Sequence, residues 1–313
     1  MATLAAVGQI CASASIKANL DQCVRLVAEA AAKGAKIIFF PEASDYIAPD
    51  AETALSLAQS QSSSPFVLAL QQAAKKHTIA IHIGIHHLPP QGTHLFNRAL
   101  YITPQGETPP TTSYDKLHVF NYGPLRESAT TLPGPTLTPP FPTPVGLVGS
   151  LICFDVRFAE PAIMLSRWRD GPARVLTYPS AFTVRTGAAH WEVLLRARAV
   201  ETQSWVVAAA QVGFHGEARS SFGTSLVVDP WGRVVLKLAG LREDGVLESD
   251  DAIGQLGLVE IDPSAADRIR SEMPLQRRTF VLPPPNLRVS PPTNGPSLLS
   301  SPLLPRTETS TRP

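Results

Sequence analysis

Apolar and polar residues follow each other along the chain in patterns that predict strands and helices in turn. Residues 4–10 form an apolar run typical of a strand. Residues 17–33 carry apolar side chains at helical spacing and end at Gly34, a residue favoured after the last turn of a helix. A second apolar strand is predicted over 36–40. The chain therefore opens as a strand–helix–strand unit.

The same patterns continue through most of the chain. Further helices are predicted over 65–77, 160–169 and 188–202. Further strands are predicted over 78–85, 96–103, 145–152, 174–178, 204–210 and 257–261, with a hairpin over 222–238. Strands alternate with helices, yet several neighbouring strands are joined as in hairpins. The prediction is therefore an α/β fold with mixed rather than purely parallel sheets.

Three segments show neither pattern. Residues 121–144 form a long proline-rich loop, which in a compact domain indicates a functional lid. Residues 239–254 have an acidic bias and are interpreted as a solvated insertion. From residue 283 onward Pro, Ser and Thr dominate, and too little apolar surface remains to offset the entropy of ordering. We therefore predict a folded domain over 1–282 and a disordered tail over 283–313.

Composition and charge narrow the class of partner. The chain of 313 residues is 44% hydrophobic, enough for a sizeable core. Its formal net charge of +1 gives no excess of basic residues with which to bind nucleic acid or an anionic membrane. No run approaches the ~18 apolar residues that indicate a membrane span. A small molecule is therefore the expected partner.

Cysteine usage and the N-terminus favour the cytoplasm. Cys11, Cys23 and Cys153 are too few for a four-thiolate zinc site and show no disulfide-framework spacing. A reducing compartment suits them best. The first ten residues already have the pattern of a strand, so we expect no leader peptide.

Cys153, at the end of the apolar run 145–152, is the first candidate for chemistry. A lone free cysteine is most often a small packing residue in a core. Cys153, however, follows a predicted strand of an α/β fold, in which the carboxyl ends of the strands face the ligand-binding crevice. A thiolate in that place is positioned to act as a nucleophile.

Two charged residues also follow predicted strands. Glu42 either caps a turn or takes part in chemistry, since carboxylates are seldom buried without a partner. Lys116 lies in an apolar stretch of the sequence, which is unfavourable for an ammonium group. It either takes part in chemistry or is a solvated residue at the edge of a sheet. A cysteine nucleophile needs a base for its proton and donors for the oxyanion. Glu42, Lys116 and the backbone N–H of Phe154 can supply these, so together with Cys153 they predict one catalytic site.

Histidines and one arginine allow other interpretations. His190 could activate a thiol as in a cysteine protease, but it opens a predicted helix whose neighbouring residues pack. His82, His86 and His87 could suggest a metal site, although no carboxylate motif accompanies them and positions in an alternating strand explain them better. Arg157 lies four residues beyond the candidate nucleophile, and its guanidinium is a candidate for binding a substrate carboxylate through two hydrogen bonds.

Several motifs resemble those of the nitrilase superfamily of carbon–nitrogen hydrolases, over about residues 4–280. Phe39–Glu42 resembles the catalytic glutamate motif, Tyr114–His118 the lysine motif and Ile152–Phe158 the nucleophile motif. Glu127 matches the second glutamate of the family, which positions the lysine. The resemblance implies a four-layer α-β-β-α sandwich and hydrolysis through a thioester, with no metal and no organic cofactor.

Within the family, the chain is most similar to the deaminated glutathione amidases in the stretches 176–182, 186–199, 201–203 and 228–232. This likeness implies a small carboxylate-bearing amide as substrate, and specifically deaminated glutathione, which would be split to 2-oxoglutarate and cysteinylglycine. Thr186 and His190 are assigned with Arg157 to substrate binding. The family resemblance also implies self-association into a homo-oligomer.

Alternatives stay open at this point. The sibling omega-amidases, which act on 2-oxoglutaramate, look similar but usually differ in these stretches, and other amide or nitrile hydrolases belong to the same family. The segment between Lys116 and Glu127 is also several residues shorter than the family pattern, which bears on substrate identity. A non-catalytic binding protein on the same scaffold is an alternative of another class, disfavoured because Glu42, Lys116 and Cys153 are all present.

Overall fold

Two six-stranded mixed sheets organise the fold. The computed structural model describes residues 1–123, 125–216 and 219–276. In chain order the strands are β1 (Thr3–Gly8), β2 (Ile37–Phe39), β3 (Ala80–His87), β4 (Phe96–Ile102), β5 (Tyr114–Asp115), β6 (Asn121–Tyr122), β7 (Leu125–Arg126), β8 (Phe141–Thr143), β9 (Gly146–Ser150), β10 (Val175–Thr177), β11 (Trp205–Ala208), β12 (Val212–Phe214), β13 (Ser220–Phe222), β14 (Leu226–Val228), β15 (Val234–Lys237) and β16 (Leu256–Ile261). The α-helices are α1 (Ile16–Ala32), α2 (Ala51–Leu57), α3 (Pro65–His77), α4 (Ala159–Ser166), α5 (Val184–Thr202) and α6 (Ser264–Glu272).

Each large sheet has three parallel strands at its centre and antiparallel strands outside them. The first sheet has the order β16-β1-β2-β3-β4-β5, in which β1, β2 and β3 are parallel. The second has the order β15-β14-β11-β10-β9-β8, in which β9, β10 and β11 are parallel. Their outer neighbours pair antiparallel. The predicted α/β fold with mixed sheets is confirmed.

Buried apolar side chains form three layers of core. One cluster joins the first sheet to α1 and α3, and a second joins the second sheet to α4 and α5. A third cluster lies between the sheets, where Val7 of β1 packs among residues that include Val175 and Val207. Alternate residues of one strand serve adjacent layers, so that in β2 Ile38 belongs to the first cluster and Phe39 to the third. The four-layer α-β-β-α sandwich is therefore confirmed.

Local signals in the sequence explain where the two helices on the first sheet begin and end. The Ser15 side chain accepts a hydrogen bond from the N–H of Ala18 at the start of α1. Pro65 opens α3, where its missing N–H costs nothing, and Thr78 ends the helix in the left-handed region with φ of 52°. The helix predicted over 65–77 is confirmed, and α1 agrees with the predicted 17–33.

Several short elements were not predicted. The patterns missed α2, α6 and the β12–β13 hairpin, and the presumed loop 121–144 contains β6, β7, β8 and a 3₁₀ turn over Glu127–Ala129. Strands of two or three residues are too short to show alternation, and α2 has no buried residue to create a helical pattern. The predicted boundary at 282 and the tail 283–313 lie outside the described residues. No helix in the described ranges is long and apolar enough to cross a bilayer.

Candidate active site

Cys153 is held by a strained turn rather than by a strand. The strand predicted over 145–152 is shorter in the structure, because β9 ends at Ser150 and Cys153 opens a 3₁₀ turn. The φ of Cys153 is 45°, in the left-handed region that residues other than glycine rarely adopt. The Cys153 N–H donates to the carbonyl oxygen of Pro179 at 3.0 Å. This conformation must be stabilised by its surroundings, as is common at functional sites.

Glu42 is fixed through its backbone. It follows β2, and a methyl group on Gly84 of the neighbouring β3 would lie 2.5 Å from the Cα atom of Glu42. Only glycine therefore allows the two segments to approach so closely. The side-chain amide of Gln211 donates to the Glu42 carbonyl oxygen at 2.9 Å. Packing and hydrogen bonding together determine where the carboxylate lies.

Lys116 lies between two carboxylates. It follows β5, and only 1% of its side chain is exposed. Its Nζ donates to Glu42 Oε1 at 2.8 Å and to Glu127 Oε2 at 2.9 Å. The N–H of Phe120 donates to the same oxygen of Glu127 at 2.6 Å and so fixes that carboxylate. The structure thus brings Glu42, Lys116 and Glu127 together.

Asn97 joins the same two carboxylates and was missed in the sequence. Its Nδ2 donates to Glu42 Oε1 at 2.6 Å and to Glu127 Oε1 at 2.9 Å. Asn97 is buried in β4, which β3 separates from β2, the strand that precedes Glu42. A single polar residue in a strand carries no signal for such a role, which only the tertiary contact reveals.

Asp155 connects the turn of the nucleophile to the lysine motif and was also missed. Its buried carboxylate accepts from the Tyr114 hydroxyl at 2.7 Å and from the His118 N–H at 3.1 Å. It also accepts from the N–H of Ile152 at 3.0 Å, directly before the cysteine. The segments that carry Lys116 and Cys153 are therefore held in a fixed relation by one side chain.

The charges of the site stabilise one another. Burial alone would raise the pKa of Glu42, but the Lys116 ammonium and the hydrogen bonds from Lys116, Cys153 and Asn97 lower it. Burial also opposes the charge on Lys116, yet the carboxylates of Glu127 and Glu42 raise its pKa well above the ordinary value. Burial and then the nearby Glu42 carboxylate raise the pKa of the Cys153 thiol. At neutral pH a carboxylate therefore lies beside a neutral thiol.

Two cavities meet at Cys153. The larger, of 310 Å³, is lined by Glu42, Lys116 and Cys153 and by residues of the segment 125–131. The smaller, of 20 Å³, is lined by Cys153 together with residues that include Arg157 and Thr186, but not by Glu42 or Lys116. The larger cavity can hold a small organic molecule, whereas the smaller has room for about one functional group.

The three residues assigned to substrate binding lie in different settings. The Arg157 guanidinium lies 5.8 Å from the ring centres of both Phe154 and Phe182 and bonds to His190 Nδ1 at 3.2 Å. Thr186 lines the smaller cavity near it. His190 is exposed, lies on neither cavity wall and contacts Arg157 rather than Cys153. The structure thus places His190 behind Arg157, away from the thiol.

The three histidines of β3 diverge instead of forming a metal site. His82 Nε2 lies 2.9 Å from Ser150 Oγ, and His86 Nδ1 lies 2.9 Å from Asp45 Oδ1. His87 Nδ1 accepts from the N–H of Gln61 at 3.1 Å. Across the residues that the structure describes, no three His, Cys, Asp or Glu side chains are grouped so that they could hold a metal ion.

Comparison with known proteins identifies the class. The family profile described as "Carbon-nitrogen hydrolase" matches residues 4–268. The chain is 45% identical over 288 residues to "Probable hydrolase nit2" of Schizosaccharomyces pombe, covering 90% of this chain and 99% of that protein. It is 41% identical over 243 residues to human "Deaminated glutathione amidase", covering 75% of this chain and 72% of that protein.

A solved structure agrees with these relatives. Saccharomyces cerevisiae Nit3, described as a member of branch 10 of the nitrilase superfamily, matches with a TM-score of 0.73 at 27% identity, over 88% of this chain and 96% of that one. The chain belongs to the carbon–nitrogen hydrolase family of the nitrilase superfamily. It is an amide hydrolase similar to the deaminated glutathione amidases, as the sequence motifs predicted.

Proposed function

We propose that Cys153, Glu42 and Lys116 form a catalytic triad that hydrolyses a small carboxylate-bearing amide through a thioester. The observation that carries this proposal is their common position on the wall of one cavity. There the Glu42 carboxylate, which raises the pKa of the Cys153 thiol, lies 2.8 Å from the Lys116 ammonium. A base, a nucleophile and a fixed positive charge are therefore adjacent.

Acylation begins with proton transfer from Cys153 to Glu42 as the sulfur attacks the amide carbon. The C–S bond forms and the carbonyl oxygen becomes an oxyanion, which the Lys116 ammonium and the N–H of Phe154 stabilise. Glu42 then gives its proton to the nitrogen, and the C–N bond breaks. The amine leaves, and the acyl group stays on sulfur as a thioester.

Deacylation uses the same carboxylate again. A water molecule attacks the thioester carbon while Glu42 accepts one of its protons. The C–S bond breaks, the carboxylic acid leaves, and the proton on Glu42 returns to the sulfur. The lowered pKa of Glu42 and the raised pKa of Cys153 support this cycle, because they keep the base free and the thiol protonated between turnovers.

We propose deaminated glutathione as the substrate, with 2-oxoglutarate and cysteinylglycine as products. The similarity to relatives of that name supports this choice. Arg157 would bind the carboxylate of the acyl half, since it lines the smaller cavity beside the sulfur. Thr186 lies on the same wall, and His190 holds the guanidinium from behind. We further propose that the protein acts in the cytoplasm as a homo-oligomer.

Turnover of two substrates tests the proposal. We expect wild-type protein to hydrolyse deaminated glutathione with a higher kcat/KM than 2-oxoglutaramate. Cys153→Ala should lower turnover at least ~10³-fold. The matched control is Cys11→Ala, which removes a thiol outside both cavities and should leave turnover unchanged. Iodoacetamide followed by intact-mass measurement should modify Cys153.

The contrary outcomes are distinct. A higher kcat/KM for 2-oxoglutaramate would indicate an omega-amidase. Full activity of Cys153→Ala would reject the triad. Binding of deaminated glutathione without turnover by the wild-type protein would indicate a non-catalytic binding protein on this scaffold.

A further inference from the structure

The larger cavity is lined by two arginines that the proposed reaction does not use. Arg126 lies in β7 and Arg219 lies directly before β13, far apart in the sequence. Both line the same 310 Å³ cavity as Glu42, Lys116 and Cys153. The substrate space therefore has positive groups beyond the catalytic lysine.

Each acidic side chain that lines this cavity already accepts a hydrogen bond from another residue. Glu42 and Glu127 share the Lys116 ammonium, and Asp50 accepts from the N–H of Thr53 at 2.7 Å at the start of α2. Among the described residues, no ion pair includes Arg126 or Arg219. An anionic group that enters the cavity would therefore meet two arginines that no described carboxylate pairs with.

The chemistry determines which half of a substrate these arginines face. Glu42 must protonate the nitrogen of the leaving amine, and Glu42 lines the larger cavity but not the smaller. The leaving group therefore lies in the larger cavity, while the acyl carboxylate reaches Arg157 in the smaller one. Phe120, Cys153 and Ala181 line both cavities, so one extended molecule can occupy both across the sulfur.

We propose that Arg126 and Arg219 bind a carboxylate carried by the leaving group. The preferred substrates are then amides whose amine half is itself an acid, such as a short peptide with a free C-terminus. This inference rests on the proposed function and extends it, because it assigns the two ends of the substrate to two different sites. An amide that releases only ammonia would leave both arginines unused.

The test compares three substrates that differ at the leaving group. They are deaminated glutathione, the same compound with its terminal carboxylate converted to an amide, and 2-oxoglutaramate. Wild-type kcat/KM should be about 10- to 100-fold higher for the acid than for its terminal amide, mainly through KM. In the double variant Arg126→Gln/Arg219→Gln, kcat/KM for the acid should fall by a similar factor and far more than for the other two substrates. Arg25→Gln, on α1 and outside both cavities, is the matched control and should change none of the three.

Each other result has a defined meaning. Equal losses on all three substrates in the double variant would mean that the arginines serve the acyl half or the fold, and would overturn the inference. Equal wild-type kcat/KM for the acid and its terminal amide would overturn it while leaving the proposed function intact. Absence of turnover for all three would reject the proposed function and this inference with it. Thermal unfolding of every variant shows whether the native fold is retained.

Discussion

Two buried polar clusters in this protein differ in charge, because one contains ionised side chains and the other contains neutral ones. The active-site cluster consists of Glu42, Asn97, Lys116 and Glu127, and the inter-sheet cluster consists of His82, Ser150 and Thr177. In the first, opposite charges raise the pKa of Lys116 despite its burial. In the second, burial lowers the pKa of His82 to about 3, and the ring is neutral.

The difference lies in what surrounds each group. Among the described residues, the partners of His82 Nε2 are two hydroxyls, Ser150 Oγ at 2.9 Å and Thr177 Oγ1 at 3.3 Å. No described residue bonds to its Nδ1. Neutral partners cannot offset the loss of hydration that a buried charge suffers, whereas two carboxylates can. In this protein, the buried polar residues that form a candidate catalytic site are those in which oppositely charged side chains are paired and line a cavity.

Removing the cation of the active-site cluster should have the largest effect. In Lys116→Met the carboxylates of Glu42 and Glu127 lose their common partner, and burial then raises the pKa of Glu42. We expect kcat/KM to fall at least ~10³-fold and the free energy of unfolding to fall by about 3–5 kcal/mol. Turnover assays and denaturant unfolding measure the two effects.

The matched control is Lys17→Met. Lys17 pairs with Asp21 at 2.7 Å on the exposed face of α1, so its loss should cost less than about 1 kcal/mol. If Lys116→Met were as stable and as active as this control, the paired charges would not be what distinguishes the active-site cluster.

A methyl group on β3 should disturb the active-site cluster without removing any of its members. In Gly84→Ala the new Cβ would lie 2.5 Å from the Cα atom of Glu42, which must move. We expect kcat/KM to fall about 10²-fold, the usual cost of misplacing a catalytic group by ~1 Å.

Gly257→Ala is the control for the methyl group itself. Gly257 lies in β16, away from both cavities. The new Cβ would lie 2.7 Å from a side-chain carbon of Leu236 in β15. This variant should lose stability but keep its activity. Equal turnover of the two variants would show that the backbone contact with Gly84 does not position Glu42.

The sequence predicted the parts of this comparison that depend on local pattern. Continuous apolar runs located the strands before Glu42 and Cys153, and Glu127 was found only through the family resemblance. Asn97 and Asp155 act through contacts with residues distant in the chain, for which a single sequence holds no signal. The segment 125–131 on the wall of the larger cavity belongs to the loop 121–144 that was predicted as a functional lid, but which of its residues reach the cavity depends on tertiary contacts.

The inter-sheet cluster should make the protein sensitive to acid. Unfolded His82 titrates near 6.5 and the folded residue near 3, so between these values the unfolded chain binds more protons. The free energy of unfolding should therefore fall as the pH drops below 6.5, by up to about 1.4 kcal/mol per pH unit from this group. Burial lowers the pKa of His87 and of His215 to about 4. These two histidines should therefore also make the free energy of unfolding fall as the pH drops.

His82→Asn isolates the contribution of this one imidazole. Denaturant unfolding at several pH values should show a shallower acid slope than in wild-type protein, with part of the slope left from the other two histidines. The difference at pH 8, where the imidazole is neutral in both states, measures the packing cost alone. Identical slopes would mean that His82 is not held neutral by burial.

The smallest effects are expected at the hydroxyls of the inter-sheet cluster, one of which Ser150→Ala removes. Thr177 still contacts His82 Nε2, so the free energy of unfolding should fall by only about 1 kcal/mol. Thr177→Val, which removes the longer contact, should cost less. Ser150 lies three residues before Cys153, yet it touches neither cavity, and kcat/KM should stay within about 2-fold of wild type. A tenfold loss of turnover would show that the inter-sheet cluster and the active-site cluster are coupled.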